Sequence, residues 1–327
     1  MTSRFLRLWM AGIAASLLSL PIGQAWAQAY PTKPVRISVP FAAGGATVIA
    51  ARIAAQELSK KFGVQFIADN RPGAGSTLGT RIAAKLPPDG YNLLAASSTN
   101  FGISPHIFRG LDYDVVRDFV PIATIATTYN GLAIHPSLPA KNVKQLVALA
   151  KAKPGDLFYS SSGNGTTAHL AMEMFNSAAG IKMIHVPHKG ADSAMMSLVS
   201  GDTQVASIVI ARVAPLAQSG RLRALAVTGP KRSSLLPDVP TVMESGIPDY
   251  EFQLWGGLVA PAGTPSAIVQ HLAGAMREAL QKQEVRELFV RDGGEALILT
   301  TSQFAALIKS DYEKWGKAVR NAGVRFD

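Results

Sequence analysis

The sequence predicts an α/β protein of two similar lobes, each built on a βαβαβ unit. Two observations carry this expectation. From Val35 onward, short apolar runs alternate with segments of helical period, the pattern of parallel strands joined by crossover helices. The same order of elements, with glycines in corresponding places, begins again at Leu157.

In the first unit, Val35 to Phe41 is expected to be a strand, followed by the loop Ala42 to Gly45 and a helix from Thr47 to Phe62. A strand from Val64 to Ala68, the loop Asn70 to Gly75, a helix ending at Lys85 and a strand from Tyr91 to Ala96 complete it. The second unit has strands at Leu157 to Ser160, Lys182 to Val186 and Gln204 to Ile210. Its helices are Thr166 to Ala178 and Asp192 to Leu198, entered through the loops Ser162 to Gly165 and His188 to Gly190. Between the units, Ile122 to Ile134 has the character of a strand, and Asn142 to Ala152 forms a short helix stopped by Pro154 and Gly155. Beyond the second unit come a strand at Leu222 to Val227, a loop with Pro237, Pro240 and Pro248, and an apolar return from Leu254 to Val259. Thr264, with Pro265 at the first helical position, opens a helix to Lys282. Thr300 and Gln303 form a capping-box pattern at the start of a final helix that carries Phe304, Leu307 and Ile308 on one face. If these last helices pack on the first lobe, that lobe is discontinuous (28–125 plus 251–327), the second lobe is 126–250, and the chain crosses twice between them at a hinge.

The N-terminus has the form of a secretory signal peptide. Arg4 and Arg7 precede an apolar run from Leu8 to Leu20, and Ala25, Trp26 and Ala27 supply a small-residue cleavage pattern, so cleavage is expected after Ala27. The run is too short for a membrane span and is interrupted by Gly12, Ser16 and Ser19. Removing residues 1–27 takes away two arginines and no acids from a chain of formal charge +10, so the remainder stays basic. Its Lys and Arg are scattered without a run, which argues for a basic surface and against nucleic acid. The absence of cysteine excludes disulfides, thiolate metal sites and cysteine nucleophiles.

Ligands of open α/β sheets bind beyond the carboxyl ends of the strands, where both units place a glycine-rich turn ahead of a helix. Glycine lets the backbone approach a ligand, and the free N–H groups and dipole of a helix N-terminus favour negative charge. Two such turns facing one another suit a small anion. Gly73, Gly75 and Gly79 resemble a dinucleotide turn, but the spacing is one residue too long and Ala95, Ala96 and Ser97 stand where an acidic ribose partner belongs. A serine hydrolase would need Ser161 or Ser162 beside a histidine backed by a carboxylate, and no nucleophile-elbow motif is present. His185 and His188, three residues apart across a strand end, have no third metal ligand nearby in sequence. Neither a metal nor a cofactor is expected.

Tyr30-Pro-x-Lys-Pro34, Val39-Pro-Phe-x-Ala-Gly-Gly45, Asn70-Arg-Pro-Gly-Ala-Gly75, Pro88-Asp-Gly-Tyr91, Gly163-Asn-Gly-Thr166, His185-Val-Pro187 with Lys189-Gly190, and Leu222-Arg-Ala-Leu-Ala-Val-Thr228 occur in that order. With Pro237-Asp-Val-Pro-Thr241 and Ala260-Pro-Ala-Gly-Thr-Pro265, they resemble the Bug receptors, the substrate-binding proteins of tripartite tricarboxylate transporters. The resemblance implies a periplasmic two-lobed binding protein of the Venus flytrap, type 2-like kind, which is not an enzyme. It would hand a di- or tricarboxylate or an aromatic acid to the large and small membrane subunits of such a transporter. The ligand contacts it implies are Phe41, Gly44, Gly45, Ala46, Thr47, Ser97, Ser98 and Asn100 in the first lobe. In the second they are Ser162, Asn164, Thr166, Thr167, His188 and Lys189. A receptor that opens and closes is expected to be a monomer. The same fold could instead serve a membrane sensor kinase. Val48 stands where the family usually has Asp, His188 where it has Tyr, and Ile208 in a stretch that commonly carries Asp. These departures lean the expected ligand away from amino acids and toward carboxylates with an apolar or aromatic body.

Overall fold

In the computed structural model, which describes residues 30–41, 46–248, 250–291 and 293–322, the unit that begins at Lys33 is organised around one strand of unusual length. The chain opens with β1 (Val35–Val39), α1 (Ala46–Phe62), β2 (Phe66–Asn70), α2 (Thr77–Ala84) and β3 (Asn92–Ser97). A π-helical turn, Ser98–Ile103, and the short α3 (Ser104–Ile107) lead into β4, Phe119–Ile134, which is 16 residues long. After α4 (Val143–Ala152) come β5 (Phe158–Ser161), α5 (Thr167–Ala179), β6 (Ile184–Pro187), α6 (Ala191–Ser200) and β7 (Val205–Val209). The chain ends with α7 (Ile210–Gln218), β8 (Arg223–Val227), β9 (Gln253–Pro261), α8 (Ser266–Gln281), α9 (Gln283–Arg291), β10 (Gly294–Ala296) and α10 (Thr301–Asn321).

The described strands join in the order β2-β1-β3-β9-β4-β7-β5-β6, with β8 and β10 also on β4. In each repeated unit all pairings are parallel, the second strand is outermost, the first is in the middle and the third is innermost. The duplication expected from the sequence is therefore present in topology. Antiparallel strands join the two units, as β9 pairs with β3 on one side and β4 on the other, and β4 in turn pairs with β7. Phe119 to Tyr129 of β4 serve β9, and Asn130 to Ile134 serve β7. At the change of partner, the buried Thr228 hydroxyl donates to the Phe252 carbonyl (2.8 Å) and accepts from the Asn130 N–H (2.9 Å).

Local sequence explains most helix positions. Val48, Ala51, Ala55 and Leu58 form the buried stripe of α1 at helical spacing. On the same helix the buried Glu57 carboxylate is held by Lys60 and Lys282, each at 2.6 Å. Burial alone would raise its pKa, and its hydrogen bonds to the two lysines outweigh this and lower it. Thr300 and Gln303 cap α10 reciprocally, as the motif predicts. The expected start of α8 shifts slightly: Pro265 is its N-cap and not its first helical residue, and the Thr264 hydroxyl donates to the Pro261 carbonyl at 2.8 Å. Five elements were not anticipated, namely the π turn, α3, α9, β10 and α7, the last with Pro215 inside it.

The C-terminal helix is the main brace. Phe304 and Ile308 pack with Phe101, Trp255 and Val259, while Trp315 and Val319 pack with Phe175 and Phe252. Within this apolar stripe lies the buried Asp311, whose Oδ2 accepts from the indole N–H groups of Trp255 (2.6 Å) and Trp315 (3.0 Å). Its Oδ1 pairs with Lys314 at 3.1 Å. Truncating this side chain strands two buried donors, so Asp311→Ala is expected to cost about 3 kcal/mol in urea unfolding. An Asp311→Ala variant as stable as the parent would show that the two indoles find other acceptors.

Candidate functional site

The first half contributes the turn after β3. Ser97 donates to the Asn100 Oδ1 from both its N–H (2.8 Å) and its hydroxyl (2.9 Å). Asn100 Nδ2 donates in turn to the Thr80 hydroxyl (3.2 Å) and the Ala95 carbonyl (3.4 Å). The Ser98 hydroxyl accepts from the Trp255 N–H at 3.0 Å. All three of these predicted side chains are buried and bonded within the protein, so they shape the turn. Thr99 alone among residues 97–100 is partly exposed. The Ser104 N–H bonds the Thr99 carbonyl five residues back, the signature of a π turn, a feature found frequently at functional sites. Helix α10 supports this turn from behind, with Trp315 pressed so closely on Gly102 that a Cβ there would lie 2.4 Å from the indole. His106 Nε2–H donates to the Tyr312 carbonyl at 2.7 Å, and its partial burial lowers its pKa.

In the second half, the loop after β5 rests on a stack of rings. Ser161 Oγ lies 2.6 Å from His185 Nε2, donates to the Gly163 carbonyl (3.0 Å) and accepts from the Gly163 N–H (3.1 Å). His185 stacks on Tyr159 at 4.9 Å between centroids and on His169 at 3.9 Å. His169 Nδ1 accepts the Gly165 N–H at 3.1 Å. The Thr166 hydroxyl donates to the Gly163 carbonyl (2.8 Å) and caps α5 by accepting the His169 N–H (3.4 Å). The N–H groups of Thr167 and Ala168, in the first turn, have no intrahelical acceptor.

Ser161 and His185 thus meet as a hydrolase would require, but their setting is that of a strut. Ser161 is buried, and its hydroxyl is held between His185 and the Gly163 backbone. Glu173 gives its Oε1 to the Tyr159 hydroxyl (2.5 Å) and to Asn176 Nδ2 (3.3 Å).

Two cavities lie beside these loops. One, of about 70 Å³, is lined by Ala46, Thr47, Ile49 and Ala50 of α1, Ser97 to Thr99, Ala126 and Thr128 of β4, Leu254 to Gly256, Phe289 and Gly294. The other, of about 410 Å³, is lined by Pro40, Phe41, Pro72 to Ser76, Thr99, Ile103, Ser104, Ile107 and Phe108 from the first half. Asn164, Gly165 and Thr166 close it from the second. Of the residues singled out from sequence, Phe41, Asn164 and Thr166 meet at the larger cavity, while Ala46, Thr47, Ser97 and Ser98 lie at the smaller. Asn100, Ser162, Thr167, His188 and Lys189 line neither. Gly44 and Gly45 are outside the described residues, as is the segment 1–27.

Thr99 and Phe108 were not singled out from sequence. Thr99 lines both cavities, and its hydroxyl beside Ser97, Ser98 and Asn100 was the available signal. Val48 is fully buried and Ile208 packs on the core around Val213 and Val227, so neither departure faces a cavity. His188 stays at the loop edge, 3.3 Å from the Ser193 hydroxyl.

Comparison with known proteins is consistent across sequence and structure. A family model described as the tripartite tricarboxylate transporter family receptor matches residues 50–324. BugT of Bordetella pertussis is 32% identical over 314 residues, covering 96% of this chain and 95% of that protein. Rpa4515 of R. palustris, solved with adipate, is 32% identical with a TM-score of 0.75, over 90% of this chain and 99% of that one. MatC from Rhodopseudomonas palustris, solved with bound malate, is 28% identical with a TM-score of 0.71, over 89% of this chain and 100% of that one.

The ring stack sets a pH dependence. Burial, and then the neighbouring His169, push His185 down to about 4, and burial also lowers His169. The fold therefore favours the neutral imidazoles, and the stability this gives is complete above the ordinary histidine value of 6.5 and lost as pH falls toward about 4. Thermal unfolding between these pH values should show a falling melting temperature, with a smaller fall in His185→Gln. An identical fall in both proteins would assign the effect to other groups.

Proposed function

This chain belongs to the tripartite tricarboxylate transporter receptor family, and from that membership we propose that it is an extracytoplasmic solute receptor, not an enzyme. Exported to the periplasm by a signal peptide cleaved after Ala27, it binds a small carboxylate between its two halves and delivers it to the large and small membrane subunits of such a transporter. The observation that carries this reading is the 410 Å³ cavity, which gathers Phe41 and Thr99 from one repeat and Asn164 to Thr166 from the other. A molecule touching both walls gains affinity only when they come together, which is how a two-lobed receptor couples binding to closure.

The chemistry of the walls supports an anion held without a counter-charge. The start of α5 turns the positive end of a helix dipole toward this opening, and Thr99 and Asn164 are among the residues that line it. Among the described residues, no titratable side chain lines the cavity to serve as an acid or base. The relatives solved with adipate and malate have carboxylate ligands, in keeping with this class. We place the boundary between the halves near 125/126 and 250/251, close to where β4 changes partners.

Calorimetric titration of the mature protein with mono-, di- and tricarboxylates is expected to give saturable binding by at least one. At a hundredfold excess over its Kd that ligand should stabilise the fold by about 2.7 kcal/mol. Thr99→Trp, which fills the cavity mouth, should abolish the ligand-dependent rise in melting temperature while leaving the ligand-free value close to the parent. Unchanged affinity in Thr99→Trp would move the site elsewhere.

A further inference from the structure

The second half reaches the larger cavity through Asn164, Gly165 and Thr166, and the loop that carries them is fastened at its two ends by different chemistry. At Gly163 the fasteners are hydroxyls: its N–H donates to Ser161 Oγ (3.1 Å), and its carbonyl accepts from the Thr166 hydroxyl (2.8 Å). At Gly165 the fastener is a ring, since its N–H donates to His169 Nδ1 at 3.1 Å. Gly163 and Gly165 have φ of +134° and +71°, and two glycines so close together leave the loop little stiffness of its own. A backbone N–H can only donate, so Nδ1 presents its lone pair and the His169 ring is neutral while this bond exists.

The ring is fixed in place. His169 is buried in the first turn of α5 and stacks on His185, with centroids 3.9 Å apart and planes 10° from parallel. The titratable groups around the pair are Tyr159 of β5, His188 just beyond β6 and Glu173 one turn along α5. Behind Glu173, the 280 Å³ cavity between α5 and α10 adds Lys314, Lys317, Tyr250 and Glu251. Strand β7, which also packs on α5, carries no titratable side chain. A protonated His169 has hydrogen on both ring nitrogens, so Nδ1–H would meet the Gly165 N–H donor to donor and the loop would have to shift. Burial disfavours the charged ring and lowers its pKa from 6.5, so His169 is neutral above that value.

Resting on the carboxylate-receptor reading, we infer that His169 is the positioning residue of the ligand loop and that its protonation releases the ligand. The neutral ring holds Asn164 to Thr166 in place as the cavity wall, and the charged ring withdraws the acceptor on which that placement depends. Affinity is therefore full above the ordinary histidine value of 6.5 and falls as pH drops below it.

The test uses two readouts on the mature protein at about pH 7.5 and about pH 5. One is calorimetric titration with adipate, malate and benzoate, and the other is amide hydrogen exchange of residues 163–166 relative to the intrinsic rate. In the parent, affinity for the tightest binder of the three should fall about tenfold or more between these pH values, and protection of the loop should fall with it. His169→Asn supplies a carbonyl acceptor that does not titrate, so it should bind within about threefold of the parent at the higher pH and lose most of the pH dependence. His169→Leu, without an acceptor, should already bind about tenfold more weakly there. Ligand titration is common to all three proteins, and ligand-free melting separates a shifted loop from a lost fold. An equal fall of affinity in His169→Asn would overturn the inference and leave the carboxylate receptor intact. Loop protection in the parent that stays constant between the two pH values would overturn it with no variant needed, as would parental affinity in His169→Leu. Loop protection that responds to pH through His169 while none of the three carboxylates binds would bring down the receptor reading and keep the positioning role.

Discussion

The backbone of β4 is the constraint on which the remainder of the fold depends. A strand has two edges, and β4 uses both over two stretches, with β9 and β10 around Ala126 to Thr128 and β7 and β8 around Gly131 to Ile134. The two parallel units never pair with each other directly. Their mutual position is set by hydrogen bonds that run through β4 and β9, and at the change of partner a single threonine hydroxyl, that of Thr228, serves both Asn130 and Phe252. Since Thr228 is buried, water cannot easily replace either bond, and the crossing is defined in spite of being only two backbones wide.

Most polar side chains around the cavities already have partners. Ser97, Ser98 and Asn100 fold the first turn, and Ser161, His169, His185 and Thr166 hold the second loop. In the cavity proposed as the site, the lining without such a role is Thr99, Asn164 and mostly apolar side chains. A site of this kind relies on fixed dipoles instead of mobile charges. Its loops therefore have to be braced, and α10 and the ring stack provide the bracing.

Much of the fold was legible in the sequence, because the signals concerned are local and repeat. Apolar runs at Val35, Leu157 and Gln204, glycines ahead of helices, and the pair Thr300 and Gln303 each dictate nearby backbone, and duplication makes the reading stronger. The antiparallel joining of the units by β4 and β9 depends on pairings more than a hundred residues apart along the chain, such as Thr127 with Trp255, which no local pattern encodes. Of the candidate cavity, the loops that line it were legible in the sequence, through Phe41, Asn164 and Thr166. The cavity was not legible to the side chain, because a π turn alters helical phase: Asn100 goes inward and Thr99 outward, and no spacing rule of 3.6 residues anticipates this. Val48 shows the same limit, since a departure from a family pattern gives no direction for the side chain, and this one points into the core.

The π turn also changes what kind of sequence variation can remodel the site. A π turn accommodates a surplus residue relative to an ordinary helical turn, and the surplus here lies between Ser98 and Ile103. Deleting one residue from that interval would rotate the rest of the turn by about 100° around the axis, the step of an α-helix, presenting a different neighbour where Thr99 now stands. Length changes in this turn act as a rotary selector for the cavity mouth, separate from the substitutions that alter its wall, and the two can be combined because Phe108 lies beyond the turn.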